Sequence, residues 1–126
     1  MATAPALAPL ADRAAVLTKA TVRAAHLLGL SHAALGRIIG VSPATVSRMA
    51  SGNHALVPGT KPAELATLVV RLYRSLDALV GNDEQARKAW MAGFHEAFGR
   101  PPREAIATVD GLTHVVRYLD GSRALV

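Results

Sequence analysis

Residues 31–51, SHAALGRIIGVSPATVSRMAS, decide the fold of this chain, because they predict two short helices joined by a turn. Ser31 is a favourable N-cap for the first helix, and Gly40 ends that helix in the left-handed conformation open to glycine. Ser42 caps the second helix, and Pro43 fits its first turn, where no backbone hydrogen bond is lost. The segment therefore predicts a helix-turn-helix.

The spacing of small and apolar residues within this segment fits two helices packed at a steep angle. Gly36 falls where the helices approach most closely, so that only a small residue fits. Gly40 lies in the turn, where a positive φ is needed. The apolar positions expected to face the partner helix are Leu35, Ile39, Val41, Val46 and Met49. Because all of these positions agree, the motif is more specific than any single short match.

The outward face of the second helix is the candidate nucleic-acid interface. In a helix-turn-helix this helix enters the major groove of DNA with its N-terminal half. Arg48 can bond a guanine bidentately, and hydroxyl groups can reach bases or phosphates. The predicted DNA-binding residues are Ser42, Ala44, Thr45, Ser47, Arg48 and Ser51. The alternative is a helical hairpin that only packs, in which the serines are ordinary caps.

The positive charge of the chain is concentrated around the same motif. The net charge is +5. Residues 1–81 contain eight Lys and Arg against three Asp and Glu, whereas residues 82–126 contain six of each. This asymmetry favours a polyanion as the partner of the first part. Without the motif, a solvated basic surface would be the favoured explanation of the charge.

The composition favours an all-α protein. Hydrophobic residues make up 51% of the chain and aromatic residues 4%, so the core consists mainly of aliphatic side chains. Ala and Leu favour helix, and no segment alternates as a strand would. No apolar stretch approaches the roughly 20 residues of a membrane span, and the first residues lack the features of a signal peptide. We therefore expect no membrane partner and a cytoplasmic location.

Metal, cofactor and catalytic sites are not expected. The chain has no cysteine, which excludes disulfides, thiolate catalysis and cysteine-ligated zinc. The histidines are scattered, without the spacing of metal ligands on one helix. No nucleophile, base and orienting group can be assembled, and no glycine loop suited to phosphate occurs. The sequence therefore predicts a protein that is not an enzyme.

The chain divides into a disordered lead-in over residues 1–11, a helix-turn-helix domain over 12–59 and a helical domain over 60–126 with a C-terminal tail. Further helices are expected over about 12–28, 61–80, 83–98, 103–109 and 112–119.

Apolar residues define the expected inner faces of these helices. The residues expected to be buried are Val16, Leu17, Ala20, Ala24, Leu27 and Leu28 on the first helix, and Ala86, Trp90 and Phe94 on the 83–98 helix. The 61–80 helix has a stripe broad enough for two packing partners or for a dimer contact, formed by Leu65, Leu68, Val69, Leu72, Tyr73, Leu76, Leu79 and Val80.

A series of short motifs follows in the last third of the chain. A tryptophan precedes a glycine turn, a proline then opens a short helix, and a glycine starts a helix with a spaced valine and leucine. The residues are Trp90, Gly99, Pro102 with Ile106, and Gly111 with Val115 and Leu119. In order and spacing they resemble the toxin-binding region of the MbcA/ParS/Xre antitoxin family. Because an Xre-like helix-turn-helix precedes that region in the family, the resemblance covers about residues 12–121.

This resemblance implies a type II antitoxin, with an N-terminal Xre-like helix-turn-helix bundle followed by a small helical toxin-binding module. It implies two partners: a RES-domain toxin, which consumes NAD and whose active site the antitoxin covers, and operator DNA, through which the operon is repressed. The candidate toxin-binding residues form the tail: Gly121, Ser122, Arg123, Ala124, Leu125 and Val126. Since paired half-sites suit a two-fold protein, we expect a homodimer within a larger hetero-oligomer.

An alternative remains open at this point. The chain could be a plain helix-turn-helix transcriptional regulator whose C-terminal helices dimerise or sense a ligand. Stable co-purification with the product of the adjacent gene would separate the two hypotheses.

Overall fold

The computed structural model of the protein describes residues 9–124, and in this part of the chain no β-strand occurs. An isolated antiparallel bridge joins His95 to Arg100. The predicted all-α class is confirmed. The helices are α1 (Leu10–Leu27), α2 (His32–Ile39), α3 (Pro43–Ala50), α4 (Lys61–Val80), α5 (Glu84–Ala92), α6 (Pro102–Ala105) and α7 (Val109–Ala124).

Helix α4 is the centre of the fold, because it packs against both α1 and α7. Val69, Leu72 and Leu76 are fully buried in these contacts. The apolar stripe predicted on this helix therefore has two packing partners within the monomer. Its central residues are not available for a dimer contact, which was the other expectation for the stripe.

Polar side chains also join α4 to α7. Arg71 forms an ion pair with Asp120. The Ser75 hydroxyl donates a hydrogen bond to Asp120 Oδ1 at 3.0 Å. Asp120 lies in the second half of α7, so these contacts hold that part of the helix against α4.

The inner face of α1 consists of small residues, which confirms the expected burial of Ala24 but corrects that of Val16 and Leu17. Val16 is 69% exposed and Leu17 is only half-buried. The buried residues are Ala14, Thr18, Thr21, Ala24 and Ala25. Small side chains allow α1 to approach its neighbours closely, and this approach decides which face is buried.

The Thr18 hydroxyl links α1 to the loop between α3 and α4. It donates to Ala14 O at 2.7 Å and accepts from the backbone N–H of Leu56 at 2.8 Å. Leu56 itself is buried. The loop after the helix-turn-helix is therefore fixed to α1 at this point.

The C-terminal helices differ from their predicted bounds. Helix α5 ends at Ala92 instead of continuing to Phe98. Helix α7 runs through Asp110–Gly111, which was predicted as a break, and through Gly121, which was predicted to begin the tail. Leu125 and Val126 lie outside the described residues.

Helix α1 begins at Leu10 and not near Asp12, so Leu10 and Ala11 are helical although they were predicted to belong to the lead-in. Residues 1–8 of the predicted lead-in lie outside the described residues.

A buried arginine connects the N-terminal helices to the C-terminal ones. Arg87 on α5 is 3% exposed. Its Nε donates to Leu27 O at 2.9 Å and its Nη1 to Asp77 Oδ1 at 3.1 Å. Its guanidinium carbon lies 5.6 Å from the centroid of the Tyr73 ring. A single side chain thus joins α1, α4 and α5.

Candidate functional site

Helices α2 and α3 pack as the sequence predicts. Leu35, Ile39 and Val46 are fully buried between them and the rest of the core, Met49 is buried beside them, and Val41 is half-buried. Ser31 and Ser42 act as N-caps, accepting hydrogen bonds from the backbone N–H groups of Ala34 and Thr45. The helix-turn-helix is confirmed.

Two glycines are required by the geometry of this turn. Gly40 has φ +81°, and its N–H donates to Gly36 O at 2.8 Å. At Gly36, an added Cβ would lie 2.5 Å from Val41 O. Because that oxygen belongs to the backbone, no side-chain movement could relieve the clash, and the close approach predicted at Gly36 is confirmed.

The predicted DNA-binding residues lie together on α3 and at its two ends. Five of them are exposed, namely Ser42, Ala44, Ser47, Arg48 and Ser51, and the sixth, Thr45, is half-buried. The opposite face of α3 is buried through Val46 and Met49. The outer face is therefore free to enter a groove of DNA.

A chain of hydrogen bonds orients Arg48 along this face. The Ser42 hydroxyl donates to Thr45 Oγ1 at 3.0 Å, and Arg48 Nη2 donates to the same oxygen at 3.0 Å. The remaining N–H groups of the guanidinium can point outward as a pair of donors. This geometry suits a bidentate acceptor such as the edge of a guanine or a phosphate.

Asn53 extends the polar face beyond α3, and the sequence-based prediction missed it. Its Nδ2 donates to Ser51 Oγ at 3.1 Å, and the Ser51 hydroxyl donates to Arg48 O at 3.1 Å. The backbone N–H of Asn53 also donates to Arg48 O, at 2.8 Å. Its position two residues after the predicted Ser51 was the available signal. An exposed amide here can reach a base edge or a phosphate.

A groove of about 770 Å³ lies between α1, the start of α2 and the end of α3. Its floor includes Leu35, Val46 and Met49, and no acidic residue lines it. The basic side chains along it are Lys19, Arg23, His26, His32 and His54. Two of the eight Lys and Arg side chains of residues 1–81, Lys19 and Arg23, therefore lie in the groove beside α3, and Arg48 adds a third positive charge on α3 itself.

The second candidate site lies on the C-terminal helices, where aromatic rings from α5, the following turn and α7 meet. The His95 ring centroid lies 4.7 Å from that of Phe98 and 4.8 Å from that of Tyr118. Trp90 contacts both His95 and Phe98 edge-on. Trp90 is half-buried against the core, as expected for a residue with a packing role. Phe94, expected on the inner face of α5, is instead 68% exposed after the end of the helix.

The end of α7 continues this surface. Ser122 is half-buried, and its hydroxyl donates to Tyr118 O at 3.0 Å, while Gly121 is exposed. The predicted toxin-binding residues from Gly121 to Ala124 are thus in the last turn of a helix and not in a tail. Within residues 9–124, no cluster of His, Cys, Asp and Glu could hold a metal ion.

The described part of the chain also includes no helix with the length and hydrophobicity needed to cross a membrane.

Comparison with known families assigns a domain to each half of the chain. Residues 8–71 match the antitoxin Xre-like helix-turn-helix domain, and residues 75–124 match the antitoxin Xre/MbcA/ParS C-terminal toxin-binding domain. No curated protein matches the chain with significant similarity. Both matched families are antitoxin and regulatory domains and not enzymes. The chain therefore belongs to the Xre/MbcA/ParS family of antitoxins, with a helix-turn-helix that indicates DNA binding and a C-terminal domain that indicates a toxin partner.

Proposed function

We propose that this chain is a type II antitoxin that neutralises a RES-domain toxin and represses the operon encoding both proteins. The toxin would be an NAD-consuming enzyme in the cytoplasm, and the antitoxin would cover its active site without chemistry of its own. The observation that carries the proposal is the presence of an exposed α3 face and a toxin-binding domain on one chain. The two candidate surfaces lie on different helices, which supports simultaneous binding of DNA and toxin.

The charge distribution supports this division of roles. The excess of positive charge lies within residues 1–81, while residues 82–126 are balanced. Phosphate attraction supplies much of the affinity of DNA-binding proteins. A neutral C-terminal module instead suits a protein interface, where shape and apolar contacts count for more.

Arg48 is the residue on α3 that we expect to contact the operator most strongly. Arg48→Ala should weaken binding to a DNA fragment from upstream of the gene by roughly 1–3 kcal/mol. A fluorescence-anisotropy titration measures this loss, with a random duplex for comparison. Loss confined to the upstream fragment indicates a base contact, and equal loss on both duplexes indicates a phosphate contact.

Lys88→Ala is the matched control for Arg48→Ala, because it also removes one positive charge but lies on α5 in an exposed pair with Glu84. We expect it to bind the upstream fragment like the wild-type chain. Unchanged affinity of Arg48→Ala would contradict the assignment of α3 as the recognition helix.

We infer that the DNA-bound form is a homodimer within a larger hetero-oligomer, since helix-turn-helix proteins commonly bind paired half-sites. A shallow groove between α1 and α4, with Val16, Leu17, Ala20 and Val70 along it, is a candidate contact. Sedimentation equilibrium of the purified chain should give twice the monomer mass, and a monomer at micromolar concentration would speak against this assembly.

The end of α7 is the proposed toxin contact carried over from the family resemblance. Deleting residues 121–126 should reduce neutralisation of the toxin in co-expressing cells and leave DNA binding nearly intact. The expected loss arises because the deletion removes the last turn of α7 but keeps Leu119 and Asp120, which hold the helix to the core. A truncated chain that still protects cells fully would exclude this contact.

A further inference from the structure

The aromatic residues of this chain are concentrated in its C-terminal domain. The chain has one Trp, two Tyr and two Phe. Four of these five residues lie between positions 90 and 118, namely Trp90, Phe94, Phe98 and Tyr118. Aromatic side chains are enriched in protein interfaces and contribute strongly to their affinity. Their grouping within the toxin-binding domain is therefore informative.

Two of these rings, Phe94 and Tyr118, are not used to fill the core, whereas Trp90 and Phe98 are partly buried against it. The space between the C-terminal helices and α4 is filled by fully buried aliphatic residues, which are Met91, Ile106, Leu112, Val115 and Leu119. Phe94 is 68% exposed and Tyr118 is 38% exposed. A phenylalanine this exposed leaves most of its apolar area in water, and burial against a partner would recover that free energy.

Backbone hydrogen bonds fix the chain on both sides of Phe94, since the Gly93 N–H before it donates to Ala89 O at 2.9 Å. The His95 N–H donates to Arg100 O at 3.3 Å, and His95 Nδ1 accepts from the N–H of Ala97 at 3.2 Å. Gly99 closes the turn with φ +67°. The His95 ring is also packed against Phe98 and Tyr118. An anchor on such a turn loses little conformational entropy when it binds.

The aromatic cluster is continuous with the end of α7. His114, Tyr118 and Ser122 follow at intervals of four residues, which places them along one face of the helix. The rings of His114 and Tyr118 both contact Phe98, and the Ser122 hydroxyl donates to Tyr118 O. One surface therefore extends from the turn after α5 to the last turn of α7.

We propose that Phe94 is the anchor residue of toxin binding, and that it inserts into an apolar pocket of the toxin while Tyr118 and the cluster of Trp90, His95 and Phe98 pack around that pocket. The partner is a folded protein that offers an apolar pocket, in keeping with the toxin-binding domain matched over residues 75–124. This inference rests on the proposed function in one respect, namely that the partner is the toxin.

The test compares Phe94→Ala with Val109→Ala, using the purified product of the neighbouring gene immobilised for surface plasmon resonance. Val109 is 58% exposed and lies in the same domain. It is nine residues before Tyr118 on α7, which puts it on the opposite face of the helix. Phe94→Ala should raise Kd at least about tenfold, as truncation of an interface anchor does. Val109→Ala should change Kd by less than about twofold, as expected outside the interface.

Circular dichroism melts of the two variants show whether either substitution disturbs the fold, and we expect none because both side chains are exposed. If the wild-type chain binds and Phe94→Ala binds with the same Kd, then Phe94 is not the anchor, although the toxin is still the partner. No wild-type binding to the neighbouring product would overturn the proposed function and the anchor together. If Phe94→Ala changes only the sedimentation of the chain by itself, the surface is a contact between copies and the proposal is wrong.

Discussion

Replacing Gly111 with alanine is expected to lower the free energy of unfolding by about 3 kcal/mol, at the upper end of the cost of overpacking. An added Cβ at this position would lie 1.7 Å from Ala105 O and 2.7 Å from Ala105 C. Both atoms are backbone, so α6 and α7 would have to separate. The Gly111 N–H also donates a hydrogen bond to Thr108 Oγ1 at 3.1 Å, at the start of α7. Urea denaturation followed by circular dichroism measures the change.

Gly121→Ala is the matched control, because Gly121 lies in the same helix and an added Cβ there meets nothing within 4 Å. Alanine should leave stability unchanged or raise it by up to about 1 kcal/mol, through its higher helix propensity. Equal stability of Gly111→Ala and Gly121→Ala would show that the close contact between α6 and α7 does not constrain the fold.

The second large effect is expected at Arg87, where methionine should cost about 3 kcal/mol of stability. The substitution keeps an apolar chain beside Tyr73 but removes the donors to Leu27 O and Asp77 Oδ1. Asp77 would then lack its ion-pair partner while its side chain is only 25% exposed. An unpaired carboxylate in that environment is costly because water cannot fully replace the guanidinium. Thermal and urea unfolding both report the loss.

Lys88→Met provides the comparison for Arg87→Met, since it changes the next residue and also removes an ion pair. That pair, with Glu84, is exposed on both sides, so the change should stay within about 0.5 kcal/mol. If Arg87→Met were no more destabilising than Lys88→Met, the buried arginine would not be what joins α1 to α5.

The helix-turn-helix could be predicted from sequence because its constraints are local. Ser31 and Ser42 cap the helices of which they are immediate neighbours, and Gly36 and Gly40 meet their close contacts within the same segment. The face of α3 that remains exposed follows from the burial of Val46 and Met49 at helical spacing. Local signals of this kind do not depend on the rest of the fold.

The inner face of α1 could not be predicted in the same way. Hydrophobicity favours Val16 as a core residue, but a close helix contact selects Thr18 and Thr21 in its place. Their hydroxyls donate to the carbonyls of Ala14 and Leu17 at 2.7 Å, so burial leaves no unsatisfied polar group. Which face packs depends on the distance to α4, and a single sequence does not contain that distance.

The length of α7 was underestimated because two glycines within it were interpreted as breaks in the helix. Gly111 suggests a break, yet it lies in the first turn of the helix. Glycine is needed there because Ala105 O approaches too closely for a side chain to fit. Gly121 suggests a stop, yet the helix continues past it beyond Asp120, which Arg71 and Ser75 hold to α4. The predicted division at residues 59 and 60 stays a prediction, and the two family matches meet within α4.

The DNA-binding site could be predicted from the sequence more fully than the aromatic surface, because its residues are close together in the chain. The six predicted DNA-binding residues all fall within residues 42–51, and they lie together on α3 and at its two ends. The aromatic surface brings Phe98 next to His114 and Tyr118 from another helix. Phe94 was assigned to the core because helix α5 was expected to include it. Its exposure follows from the end of α5 at Ala92.

The most direct test of a chain that binds DNA at one end and a toxin at the other is a capture experiment on immobilised duplex from upstream of the gene. Equimolar chain and neighbouring gene product are applied together, and the retained proteins are quantified. The product should be retained when the wild-type chain is present, reduced together with the chain in Arg48→Ala, and reduced while the amount of bound chain is unchanged in Phe94→Ala. A wild-type chain that binds the duplex but does not retain the neighbouring product would contradict the account.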